Sequence, residues 1–214
     1  MSDAIKALQQ ALGLKADGIR GPITTAAILD AADSGRLVVD QIAPVSAPQT
    51  IGRGLSRIII HWSAGTNTVS DLDRQHYHKI VAGDGMVFSG YHTPEDNISV
   101  SDGRYAAHTR SCNTGSIGVA FAAMAGAVER PFDSGPFPIT ARQVDAMARL
   151  CGALCRQYGI AVTRQTVLTH AEVQPTLGIV QSGKWDVTWL PGMTAPGDPV
   201  AVGDKLRDLI RAQI

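Results

Sequence analysis

Two apolar runs in this chain close on a histidine. "SRIIIHWSAG" leads three isoleucines into His61 and a small-residue turn, and "VLTHAEV" repeats the pattern at His170. One strand-terminal histidine is most often a core residue. A pair is different, because ligands in open α/β sheets gather just beyond strand ends. Two histidines meeting there could hold zinc, but a catalytic site uses three protein ligands and keeps a fourth position open for water. The third ligand can be Glu172 or, in "SGKWDVTWLPG", Asp186. Spacing favours Asp186, since residues two apart in an extended segment project to one side. Lys184 and Asp186 then point together, and an ammonium stands beside the carboxylate. Glu172 stays as the lesser candidate. The chemistry of such a site is metal-assisted hydrolysis, in which zinc lowers the pKa of its water to about 7 and polarises a carbonyl.

The elements around these residues predict an α/β fold, a mixed central sheet flanked by helices. "RIIIHW" is apolar on both faces and reads as an interior strand, and "SIGVAFAAM" is a second, built from small residues. "HYHKIVAGDGMVFSGY" reads as a hairpin about Gly83-Asp84-Gly85. "TVLTHAEV" is a further strand ending on its histidine. "TARQVDAMARLCGALCRQYG" is the clearest helix, capped by Thr140 and ended by Gly159. A last short helix spans "VGDKLRDLIRAQI". Ahead of this unit, residues 1–40 read as a small all-helical module: Ile5, Leu8 and Leu12 share a stripe, and Asp17-Gly18 and Gly21-Pro22 mark turns. Residues 41–54 are a linker by composition, and 55–214 form the larger domain.

Bulk properties narrow the partners. Nineteen Lys and Arg balance nineteen Asp and Glu, so neither nucleic acid nor an anionic membrane surface is expected. The N-terminus lacks the basic start and apolar run of a signal peptide, and no segment approaches a membrane span. Cys151 and Cys155 fall on the apolar side of the long helix and Cys112 stands alone in a loop, which is neither a disulfide framework nor a cysteine zinc site.

"IIIHWSAG", "YHKIVAGDG", "AAHTRSCNTGSIGVAF", "LTHAEV" and "GKWD" follow one another in the order found in zinc-dependent N-acetylmuramoyl-L-alanine amidases, the family that shares its fold with peptidoglycan recognition proteins and phage amidase endolysins. The resemblance covers residues 55–192. "LQQALGLKADGIRGPITTAAI" separately resembles a small peptidoglycan-binding helical module. Carried over by position, the resemblance implies zinc ligands His61, His170 and Asp186, with Lys184 as the lysine two residues before the last ligand. Tyr77 matches a tyrosine near the metal, and His108 a histidine lining the substrate cleft. Asn113 either shapes the "CNTGS" turn or touches substrate. His76, His78 and His92 read as non-ligands, because further ligands would close the open site.

Two departures stand out. Some members carry a glutamate in the strand after serine-isoleucine-glycine, where this chain has Ala120, so acid–base work shifts to Tyr77 and Lys184. The stretch between His170 and Lys184 is long, with "TLGIVQSG" inserted, and Val187 stands where many members have proline. The implied reaction is hydrolysis of the amide between N-acetylmuramic acid and L-alanine in peptidoglycan. A phage- or prophage-type endolysin, monomeric and held in the host cytoplasm until released to the wall, is the expected role. A non-catalytic recognition protein and a cytosolic muropeptide-recycling amidase are the alternatives. A muramidase would need a spaced carboxylate pair, and no motif supplies one.

Overall fold

The computed structural model describes residues 6, 9–10, 12–16 and 54–214. The chain divides into two compact units, Met1–Ala47 and Pro48–Ile214. The helical module and linker expected before residue 55 lie, but for those few positions, outside the described residues.

Isoleucine-rich β1 (Arg57–Trp62) is flanked on both sides by parallel neighbours, as an apolar run with no polar face requires. Strand β2 (Lys79–Val81) turns through Gly83–Gly85 into antiparallel β3 (Val87–Ser89), which is the expected hairpin. With β4 (Ser116–Phe121) and β5 (Val167–Thr169) the sheet order is β3-β2-β4-β1-β5. It is mixed, since only the β2–β3 pair is antiparallel.

Alternation along β1 divides its duties. Ile58, Ile60 and Trp62 enter the main core with Val119 and Phe121 of β4, whereas Ile59 packs in a smaller cluster with Cys112 and Val173. His61 has the parity of Ile59 and so belongs to that second face. On β4 the matching positions are Gly118 and Ala120, and His61 pairs in register with Ala120. A Cβ on Gly118 would come within 2.4 Å of the His108 ring. The small residues of this strand therefore make room for an imidazole.

Helix α1 (Asp71–His76) begins in a capping box formed by Ser70 and Asp73. Helix α2 (Ala141–Tyr158) is capped by Thr140 and Gln143 and stopped by left-handed Gly159, as expected. The Gln143 amide also donates to the carbonyls of Val81 and Ala122, tying the helix start to the ends of β2 and β4. Met147, Cys151, Leu154 and Cys155 face the main core, and all three cysteines are free and buried.

Three local expectations are corrected. "TVLTHAEV" is not a strand throughout: β5 ends at Thr169 and His170 opens helix α3 (His170–Leu177). The Glu172 carboxylate accepts the Thr169 backbone N–H at 2.8 Å, a capping contact that draws the chain into helix. Tyr77 and His78 precede β2 rather than lying in it, Tyr77 being the extended C-cap of α1. The final helix, α4 (Pro199–Arg211), begins earlier than Val202, because Asp198 caps it and Pro199 suits its first turn. Among the described residues no helix is long and apolar enough to cross a membrane.

Candidate metal centre

The parallel strands place their carboxyl ends together, and the site forms there. His61 is the penultimate residue of β1, and His170 follows the adjacent β5 directly. Their rings meet edge to face at 4.5 Å between centroids. Asp186 comes from the loop before α4, where residues 184–186 form no strand. Its Oδ2 lies 3.1 Å from His61 Nδ1 and 2.9 Å from His170 Nδ1. One potential ligand atom from each of the three lies within 4.8 Å of the others. All three residues are buried.

Glu172 is not part of this cluster. Its carboxylate forms a bidentate pair with Arg207, at 2.8 and 3.1 Å, on the α3–α4 contact. The extended geometry that placed Glu172 beside His170 does not exist, because the helix swings it away.

Burial drives the His61 imidazole down to about 4; the hydrogen bond to Asp186 opposes this, and the charges of His170 and Lys184 add to it. Burial by itself would raise the Asp186 carboxyl, but the hydrogen bonds from His170 and His61 outweigh it and hold the group below the usual carboxylate range. Asp186 Oδ1 is buried and has no hydrogen-bond partner. An orphaned carboxylate oxygen beside two imidazoles is costly unless a cation satisfies it. The donor set of two nitrogens and one oxygen suits zinc, so these residues fit the metal that the sequence implies.

The remaining expected site residues surround this cluster. The Tyr77 ring lies 5.2 Å from that of His61. Its hydroxyl is pushed above its ordinary range by burial, then by Asp186 and Asp73, so it is a neutral phenol and a donor. His108 is buried, with Nδ1 3.2 Å from His61 Nε2 and 2.8 Å from Thr109 Oγ1. Asn113 Oδ1 accepts the backbone N–H groups of His108 and Thr109, shaping the loop that carries them. An open cleft of about 400 Å³ is lined by His108, Arg110, Asn113, His170, Gln181 and Lys184, among others. Lys184 is exposed at its rim, where a second cleft, with Phe132 and Trp185, begins.

His78 serves structure: its Nδ1 accepts from Gly118 N–H at 2.9 Å, so Nε2–H donates to Asn97 Oδ1 at 3.1 Å. His76 contacts the Ala107 carbonyl and His92 approaches Asp96. Thr109 and Gln181, whose side chains touch the outer nitrogens of His61 and His170, were missed from sequence. Thr109 adjoins the "AAHTR" histidine, a usable signal; Gln181 lies in an insertion and gave none.

Val187, directly after Asp186, has φ +65° and is fully buried. Proline, fixed near φ −65°, cannot adopt that conformation. The departure at this position is therefore a different turn behind the third residue of the cluster.

The fold and site define an α/β protein with a buried two-histidine, one-carboxylate cluster at the carboxyl ends of parallel strands. Residues 52–193 match the N-acetylmuramoyl-L-alanine amidase family, and the chain belongs to it. Solved structures to which this chain is similar include the amidase LysC from Clostridium intestinale, at 15% identity and TM-score 0.42, covering 71% of this chain and 85% of that one. The Ph2119 endolysin from a Thermus scotoductus bacteriophage matches at 17% and 0.44, covering 72% and 86%. A complex of the peptidoglycan recognition proteins LCa and LCx with tracheal cytotoxin matches at 19% and 0.41, covering 66% and 78%. No curated protein matches.

Proposed function

We propose that this amidase-family protein uses zinc held by His61, His170 and Asp186 to hydrolyse the amide between the lactyl group of N-acetylmuramic acid and L-alanine in peptidoglycan, acting as a phage- or prophage-type endolysin. The observation that carries the metal reading is the buried Asp186 carboxylate, whose Oδ2 meets two imidazoles while its Oδ1 has no partner. Bound there, zinc supplies Lewis acidity toward the carbonyl and a water of lowered pKa.

The chain's own groups supply the rest. Lys184, cationic at the cleft rim, is suited to stabilising the oxyanion that develops on the amide carbonyl. Tyr77 retains its proton and can orient the attacking water or help protonate the leaving amine, which must depart neutral. Ala120, paired with His61 in the register, offers no acid–base group from β4. The endolysin role rests on the resemblance of the N-terminal segment to a wall-binding module: a tether suits an insoluble wall and is superfluous for soluble fragments. Accumulation in the host cytoplasm until membrane permeabilisation belongs to the same reading.

Product analysis on purified sacculi tests it, comparing wild type, His170→Ala and chelator-treated protein. New L-alanine amino termini without new reducing ends, lost with either treatment, are expected. New reducing ends would mean a glycosidase. Binding without cleavage by zinc-loaded protein would mean recognition only.

A further inference from the structure

Gln181 sits inside the "TLGIVQSG" insertion, yet it is 4% exposed and its contacts reach three parts of the fold. Its backbone N–H donates to Gln174 Oε1 at 2.9 Å, fixing it to α3. Its side-chain amide nitrogen donates to the Arg110 carbonyl at 2.9 Å and faces the Ile179 carbonyl at 3.4 Å. Two carbonyl neighbours require the NH₂ group at that end, so the amide cannot be flipped. The other end, Oε1, lies 2.9 Å from His170 Nε2. An amide oxygen only accepts, so Nε2 must carry a hydrogen.

The consequence falls on the opposite ring nitrogen. A neutral imidazole protonated at Nε2 presents a lone pair at Nδ1, and Nδ1 faces Asp186 Oδ2 at 2.9 Å. Two acceptors at that separation repel unless a proton or a metal cation lies between them, and a metal bound there takes the proton's place on Nδ1. We propose that Gln181 is a positioning residue for the zinc site, its side-chain oxygen holding His170 Nε2–H so that Nδ1 is the ligating atom. The inference rests on the zinc reading above and adds the residue that sets the ligand's tautomer and ring orientation. Metal-bound histidines generally anchor their second nitrogen in this way, and loss of the anchor typically costs about 10–100-fold in metal affinity.

The insertion thus has a function beyond length. It carries an acceptor back over His170 and clamps the loop holding His108, Thr109 and Arg110 against α3. Ser182 and Gly183, both left-handed at φ +51° and +72°, then turn the chain toward Lys184.

The test is zinc affinity of the full chain, measured by competition with a chromogenic chelator for wild type, Gln181→Leu and Gln181→Glu. Nitrogen-15 NMR of the zinc-loaded histidine rings and thermal melts of the zinc-free proteins accompany it. Gln181→Leu has similar bulk and no acceptor, and is expected to bind zinc about 10–100-fold more weakly. Gln181→Glu keeps the acceptor and should recover most of the affinity, although both lose the donor contact to Arg110. Zinc-loaded wild type should show His170 protonated at Nε2 and bound through Nδ1. Unchanged affinity in Gln181→Leu, equal losses in both variants, or ligation through Nε2 would each overturn the proposal. If the melts show Gln181→Leu unfolded, the ring assignment in wild type decides. Wild type that takes up no zinc would instead overturn the metal reading itself, an outcome visible before any variant is compared.

Discussion

Asp186 carries the heaviest electrostatic load in the site, since its buried carboxylate takes contacts from two imidazoles on one oxygen and none on the other. Lys184, two residues earlier, has the opposite situation: it is exposed at the rim of the cleft. The two are therefore separable by mutation. Lys184→Met is expected to lower kcat by about 10²–10³-fold, the usual range for losing one oxyanion-stabilising donor, with zinc content and KM little changed. Steady-state kinetics on a soluble muropeptide, paired with metal analysis, checks this. A fall in zinc content in parallel with activity would show that Lys184 supports the metal instead.

At the scale of elements, α3 and α4 are joined by an ion pair with almost no solvent contact. Arg207 forms a fork on Glu172 while also donating to the Val167 carbonyl at 2.8 Å. This pair anchors the first turn of α3, and hence His170, to β5 and α4. Removing one partner leaves an uncompensated buried charge, so Arg207→Met should cost about 3–5 kcal/mol in urea unfolding. The double variant Arg207→Met with Glu172→Leu should recover much of it, because the orphaned carboxylate is gone. A single-variant loss near zero would show that Glu172 is neutral in the fold.

Across the whole molecule, buried histidines set the response to pH. Burial holds His61 and His78 down to about 4, and burial, then His61 and His78, hold His108 well below its ordinary value. Unfolded, each returns to about 6.5. Between those values the unfolded chain binds more protons than the folded one, so stability is fully present above about pH 6.5 and is lost as pH falls toward 4. Three such groups give a steepest slope of about 4 kcal/mol per pH unit in zinc-free protein. Urea melts at pH 7, 6 and 5 should show midpoints falling on acidification, and a flat series would mean that these rings take up protons as readily in the fold as in the unfolded chain.

Periodicity and punctuation in the chain determined the mixed sheet, the hairpin at Gly83–Gly85 and the helix from Thr140 to Gly159, because each depends on neighbouring residues and local turn chemistry. Ordered motifs likewise singled out His61, His170 and Asp186, which the tertiary structure brings together. Glu172 stands outside this cluster for a reason other than alternation along a strand: a helix begins at His170 and carries Glu172 to Arg207. Position-by-position patterns could not reveal that, since the partner lies 35 residues away. Nor could they show that Gly118 is small to admit the His108 ring, or that Gln181 folds back onto His170. Those facts belong to tertiary structure alone, because contacts between distant segments are set by how elements pack and leave no period in the sequence.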